Sequence, residues 1–563
     1  MPFHAPMSGL PTHEVENQPA AMGDLNYLDI DPALREMIDR EGAGWALDHI
    51  RNFAADMGTA ESRELARLAD RHSPEIKPFD PYGRRVNEVE FHPAYHELMK
   101  KAMKGRIHNF AWVNDGKQGA HAAQMALAYI FSQTEGGVAC PMAMTYAVYP
   151  ALKAQENLRK ELEDLLLSDV YDQRSIPVHQ KSGMTMGMFM TEKQGGSDVR
   201  ANSTRATPFK EATGPGAEYL LNGHKWFCSA PMSDAFLTLA QTEKGITCFF
   251  LPRWKPDGSR NNLFIQRLKE KVGNKSNASS EMEFIDTYAL MVGEEGRGVP
   301  TIIEMVQHTR LYCIMGSAAL MRAGLIHAMY HVSNRRAFQK RLIDQPLMRV
   351  LLADLAMESE AACQMMMRVA GSFDRAESSK VEEGYKRIVT AIGKYWVCKR
   401  APNFTYEAME CHGGSGYVEE SPMGRIYRES PVNSIWEGSG NVMCLDVMRA
   451  ILREPKAFMA VLGDLKQDMG WHPDYDRALS EIIQAFESGK LGEARARWLT
   501  EQMAKIIQAS LFHRNAPTEI ANCFASARLG MAGGHVYGTL PEDAPIDLIL
   551  ERAGVSLVGE ASA

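Results

Sequence analysis

The feature that most restricts how this chain can fold is a change in the period of its apolar residues. They shift from three- and four-residue spacing to short runs between turn residues near position 184, and shift back near position 300. Before the first shift, PAYHELMKKAMK at 93–104 and GAHAAQMALAYIFSQ at 119–133 repeat with helical spacing. Between the shifts, YLLNGHKWFCSA, DAFLTLAQT, GITCFFLPR and SEMEFID read as strands. Asn222-Gly223 predicts a hairpin there, because both residues tolerate the positive φ of a two-residue turn. Helical spacing returns at Pro300, Pro346 suits the first turn of a second long helix, and a third ends near His412 with Gly413 as its stop. Beyond about 450, HPDYDRALSEIIQAFES and LGEARARWLTEQMAKIIQASLFHR are amphipathic. The pattern predicts an α+β chain: an N-terminal arm and α-helical domain over 1–183, a β domain over 184–298, an α-helical bundle over 299–450 and an additional C-terminal helical domain over 451–563.

Composition removes several alternatives. A chain of 563 residues exceeds what one core supports, so several lobes are expected. Its nine cysteines form no CxxC pair and no Cys/His grouping at ligand spacing, which predicts neither a disulfide framework nor a metal site, and a reducing compartment. The opening residues MPFHAPMSGLPTHEVENQPAAMGDLNYLD lack the marks of a signal or transit peptide, so a cytoplasmic location is expected. No uninterrupted apolar run approaches the roughly 20 residues of a membrane span. A net charge of −8 gives no general attraction to nucleic acid.

Four segments carry residue types suited to chemistry. Met188 to Val199 places paired glycines beside Thr191 and Ser197, which lets backbone and hydroxyls approach a ligand; alone, it also reads as an ordinary β-turn. Lys225 to Ser229 sets the aromatic Phe227 near the Ser229 hydroxyl, suiting a flat heteroaromatic ring, or simply a strand with core aromatics. Arg335 in NRRAFQK offers a bidentate fork to a diphosphate, or forms a solvated basic helix end. Glu437, between Trp436 and Gly438-Ser439-Gly440, sits in a desolvating and permissive loop that raises a carboxyl toward the range needed of a base. A helix N-cap at Ser439 or Asn441 is the structural reading of that last segment.

In this order, the segments resemble the acyl-CoA dehydrogenase family. TEKQGGSD is similar to its T-E-x-x-x-G-S-D, HKWFCSA to its flavin-stacking strand, Thr309-Arg310 to its helical Thr-Arg, RRAF to its R-x-x-F and IWEGSG to the segment with its catalytic glutamate. The match covers about residues 90–450. The N-terminal arm, HNFAW, PVNSIWEGSGN and the C-terminal extension resemble the AidB-like branch, associated with the response to DNA alkylation. The resemblance implies a helical N-terminal domain, a central β-barrel or sandwich, a C-terminal four-helix bundle and an extra helical domain. It implies FAD, lined by Met188, Thr191 and Ser197, with Phe227 and Ser229 at its ring and Ser439 and Asn441 at its adenosine diphosphate. Arg335, Phe338, Glu410 and Gly414 would reach the FAD of a neighbouring subunit in a homotetramer built as a dimer of dimers. Glu437 would take the α-proton of an acyl-CoA while hydride passes to the flavin, whose electrons leave to an electron-transfer flavoprotein. Arg310 would bind substrate, or else serve as a buried helix-packing arginine.

The chain departs from the family pattern at Gln307, where many members carry Asp, at Gln339 in place of Gly, and at Glu410 in place of Gln. These departures keep two other functions open: a flavin-bearing scaffold without turnover, and a DNA-binding flavoprotein that protects DNA from alkylation. Residues 455–563 hold 10 Lys plus Arg against 14 Asp plus Glu, a weak electrostatic footprint, although Arg449, Arg453, Arg495 and Arg497 could gather on one face.

Overall fold

The computed structural model describes residues 7–489, 491–530 and 534–561; the first six residues of the polar arm lie outside them. The helical segments before the period shift include α1 (Ala120–Thr134) and α2 (Ala139–Leu152), both buried on nearly every face, which explains their weak amphipathicity.

Seven strands follow: β1 (Met186–Phe189), β2 (Arg205–Pro208), β3 (Glu218–Ser229), β4 (Ala235–Thr242), β5 (Gly245–Pro252), β6 (Leu263–Leu268) and β7 (Ser279–Val292). Strands β4, β2, β3, β7 and β5 pair in that order, and β5 returns to β4, so five strands close into a ring. Strand β1 adds to β4 in parallel, and β6 shares an edge of β7 with β5. Closure leaves few open edges. Phe189, Tyr219, Phe236, Phe249, Met282 and Phe284 fill the interior.

The hairpin expected at Asn222-Gly223 does not form. Strand β3 runs through both residues, and its register against β7 shifts there, so the pair sits at a bulge. The φ freedom that suits a hairpin turn also suits a bulge. Here Asn222 settles the matter by bonding Asp286 across the sheet: its Nδ2 donates to the carboxylate at 2.9 Å and its Oδ1 accepts the Asp286 N–H at 3.0 Å. Gly223 has φ +154°, and a Cβ would stand 2.7 Å from the Thr204 Cα. Gly223→Ala is therefore expected to destabilise the protein by about 1–3 kcal/mol, read as a lower midpoint in urea or thermal unfolding.

After the barrel come α3 (Gly298–Asn334), α4 (Pro346–Arg375) and α5 (Thr390–Glu410), then α6 (Gly440–Arg453) and α7 (Ala496–Asn515). Pro346 opens α4 at its first turn. Helix α3 is long and apolar enough to cross a membrane by length and composition, but 89% of its most apolar window is buried among the other helices. The segment beyond 450 completes the same core. Leu499, Met503, Ile506 and Ile507 of α7 join the cluster that holds the bundle residues, and Trp396 of α5 donates to Gln508 at 2.9 Å. Ion pairs tie it further: Arg528 with the buried Asp354 and Glu358, and Arg552 with Glu360 and the more exposed Glu36.

Candidate active site

Glu437 lies in the turn between a short 3₁₀ segment, Ser430–Ser434, and α6. Both Glu437 (φ +58°) and Gly438 (φ +107°) take positive φ, which is costly for the glutamate and persists only where the surroundings enforce it. The enforcement is visible. Thr309 of α3 donates to Glu437 Oε2 at 2.8 Å, Arg310 Nε donates to the Glu437 carbonyl at 3.3 Å, and Lys394 of α5 donates to the Gly438 carbonyl. Burial pushes the Glu437 carboxyl above the ordinary range, opposed by the Thr309 hydrogen bond and by the charges of Lys394 and Arg310.

Arg310 is buried, and its Nη1 is paired to Asp446 of α6 at 2.7 Å, with Arg387 on the other carboxylate oxygen at 3.2 Å. Gln307, three residues before Arg310, is only 4% exposed, and neither atom of its amide has a partner among the described residues.

The loop meets the barrel through Trp436, which packs with Met188 against Cys140, Met144 and Ala230. Met188 and the end of β3 thus share a wall with the Glu437 turn. There Phe227 is 52% exposed, leaving a ring face free, and Ser229 Oγ lies 3.2 Å from Ser279 Oγ. Beside it, the Thr191 carbonyl accepts the Trp226 N–H at 2.9 Å, and a Cβ on Gly196 would stand 2.4 Å from Thr191 Oγ1. Ser197 is exposed on the same turn.

Holding that turn is a residue within the motif that the sequence did not single out. The Glu192 side chain is fully buried and accepts from Lys225 Nζ at 2.8 Å, from the Ser203 N–H and hydroxyl at 2.6 and 2.8 Å, from the Thr204 N–H at 3.1 Å and from Gln194 at 2.9 Å. Burial alone would raise its carboxyl, but Lys225 and these hydrogen bonds outweigh it and hold the group well below the usual carboxylate range.

Ser439 occupies the N-cap position of α6, yet among the described residues its side chain makes no capping bond. Ser439 and Asn441 are exposed there, at a helix end whose N–H groups suit an anion.

Arg335, Phe338, Glu410 and Gly414 form a separate group. Phe338 is 92% exposed and, with Gln339, makes the two-residue turn between the short strands Arg336–Ala337 and Lys340–Arg341 (φ +50° and +67°). Arg335 donates to the Asn17 carbonyl of the N-terminal arm. The rings of His331 and His412, 4.7 Å apart, bring the ends of α3 and α5 together, so exposed Glu410 and Gly414 share this end of the bundle. From Thr309 to Asn334 the helix advances 25 residues, about 38 Å, so this group and the Glu437 loop sit at opposite ends of it.

A closed β-barrel between helical layers, with a glutamate loop joined to the barrel wall, defines a recognisable class: the chain belongs to the acyl-CoA dehydrogenase family, and proteins of that family bind FAD. Three family models match it: the adaptive response protein AidB N-terminal domain over residues 17–173, the acyl-CoA dehydrogenase middle domain over 187–287 and the acyl-CoA dehydrogenase C-terminal domain over 296–452. Within the family it is AidB-like, being 42% identical to AidB of Escherichia coli (strain K12) over 546 residues, 96% of this chain and 98% of that one. Among solved structures, ACDH-11 of Caenorhabditis elegans in complex with C11-CoA is similar at a TM-score of 0.83 and 25% identity, over 92% of this chain and 94% of that one. The Bd2924 apo-form is similar at 0.80 and 28%, over 88% and 99%.

Proposed function

We propose that this chain is an FAD-dependent acyl-CoA dehydrogenase-type flavoprotein, in which Glu437 abstracts the α-proton of an acyl thioester while the β-hydrogen leaves as hydride. The observation that carries this reading is the Glu437 carboxylate, held by Thr309 in a turn that shares one apolar wall, Met188, Ala230 and Trp436, with the end of β3.

The residues suit FAD. Phe227 leaves a ring face free, Ser229 offers a hydroxyl beside it, the Thr191–Ser197 turn is braced by Glu192, and the uncapped start of α6 at Ser439 and Asn441 suits the diphosphate. When bound, FAD supplies the hydride acceptor. The protein's part is to desolvate Glu437, which raises its affinity for the proton, and to fix the carboxylate at one place through Thr309. The unpartnered Gln307 amide suits a polar group of the acyl-CoA, such as its pantetheine amides. A short branched acyl group and an electron-transfer flavoprotein as acceptor belong to the same reading.

Arg335, Phe338, Glu410 and Gly414 lie too far from Glu437 to serve the same flavin, which supports their reaching the FAD of a neighbouring copy in a dimer-of-dimers tetramer. A second reading, DNA binding with little turnover, has one supporting observation: Arg449 and Arg453 on α6 and Arg495 and Arg497 at the start of α7 lie on two packed helices. Three of these arginines are partly engaged already, Arg449 with Asp446 at 3.7 Å, and Arg495 and Arg497 over the rings of Trp498 and Tyr395.

Mixing the FAD-loaded protein anaerobically with acyl-CoAs of graded length and branching is expected to bleach the flavin with at least one of them. No bleaching across the panel would remove the dehydrogenase reading. Salt-dependent binding to duplex DNA near physiological ionic strength would support the second.

A further inference from the structure

Lys394 stands in TAIGKYWVC, a lone cation in an apolar turn of α5, and at 1% exposed it is among the most completely buried side chains. Among the described residues no carboxylate lies within ion-pair distance of its ammonium, and its hydrogen bond goes to the Gly438 carbonyl. A buried charge without a partner is costly, so a protein that keeps one must gain something from it. Successive carbonyls of the catalytic turn each accept from a cation: Glu437 from Arg310 and Gly438 from Lys394. The charge of Arg310 is already met by Asp446, whereas that of Lys394 is not.

We propose that Lys394 is a positioning residue for Glu437: its ammonium holds the Gly438 carbonyl, fixes with Arg310 the left-handed turn that presents the carboxylate, and serves as that carboxylate's counter-charge. The inference rests on Glu437 being the base of the proposed reaction. The groups that act on or feel Glu437 are Thr309, Arg310 and Cys313 from α3, Cys140 from α2 and Lys394 from α5. The thiols of Cys140 and Cys313 are pushed up by burial and stay neutral, so Lys394 is the one unmatched charge of this set. With it in place, the rise that burial imposes on the carboxyl is held back, and the turn keeps its positive φ through a donor on each carbonyl.

The test is an infrared pH titration of the protonated-carboxyl stretch of Glu437 in the FAD-loaded full-length protein, the band being assigned by its loss in Glu437→Gln. Lys394→Met is expected to move the midpoint upward by a pH unit or more, about tenfold in proton affinity. Lys394→Arg, which keeps charge and donor, is expected to return it toward wild type. Should the Met variant not fold, Lys394→Gln, which keeps a donor without the charge, reads the same shift. An unchanged midpoint in the uncharged variants overturns the proposal. The titration needs no acyl-CoA, so a shifted midpoint in a protein that no acyl-CoA bleaches would uphold the role of Lys394 and sink the dehydrogenase reading instead.

Discussion

Glu437→Gln is expected to slow acyl-CoA-dependent flavin bleaching by roughly 100- to 10,000-fold, the usual contribution of a positioned general base, with FAD content unchanged. Glutamine keeps the shape of the side chain and an oxygen to accept from Thr309, so the variant removes the base and leaves the turn standing. The pH dependence carries the sign of the burial effect. Burial raises the folded-state affinity of Glu437 for a proton, and the carboxylate is the active form. The rate should therefore fall on acidification at a pH above the ordinary carboxylate range, and this acid limb should vanish in the variant. Stability runs the other way: a group whose folded value is raised favours folding below its unfolded value and loses that advantage as the pH rises through the folded one. Glu437→Gln should thus lose stability less than wild type as neutrality is approached. An acid limb that survives the substitution would assign the base elsewhere.

The largest effect on stability is expected at Glu192. Glu192→Gln leaves Lys225 a buried ammonium without its counter-charge, and breaking a buried pair in this way costs about 3–5 kcal/mol. The sign with pH is opposite to that of Glu437. The folded carboxyl is held low, so its contribution is present above the unfolded value, about 4.3, and is lost as the pH falls through the folded one. Urea unfolding at neutral pH should show the full difference between variant and wild type, narrowing in acid; equal midpoints at neutral pH would contradict the account. Because Glu192 also accepts from Ser203 and Thr204, weaker retention of FAD by the Thr191–Ser197 turn should accompany the loss of stability.

Much of the architecture could be read from the chain, because it depends on local rules. Apolar period decides helix or strand over a few residues, and it marks where β1 begins and where β7 gives way to α3. Pro346 stops and starts helices through its own φ and its missing N–H, whatever surrounds it. The order of the motifs likewise reveals the family, since each is a short segment. Asn222-Gly223 shows where local reasoning ends. Positive φ is a permission that a hairpin and a bulge both use, and Asp286, 64 residues away, decides between them.

The same holds at the site. The sequence proposes Glu437 and its flanking glycine, but that Arg310 meets Asp446, 136 residues away, is visible only in the folded chain. Lys394 is, in the sequence, an unexplained lysine among apolar residues. Its meaning comes from a carbonyl 44 positions later, and the fully buried Glu192 carboxylate likewise gains its place from Lys225, 33 positions later. Residue type and spacing set what a segment is able to do, because torsion and side-chain chemistry are local. Which buried charge meets which partner depends on desolvation and distance, and these exist only once the helices and the barrel have packed.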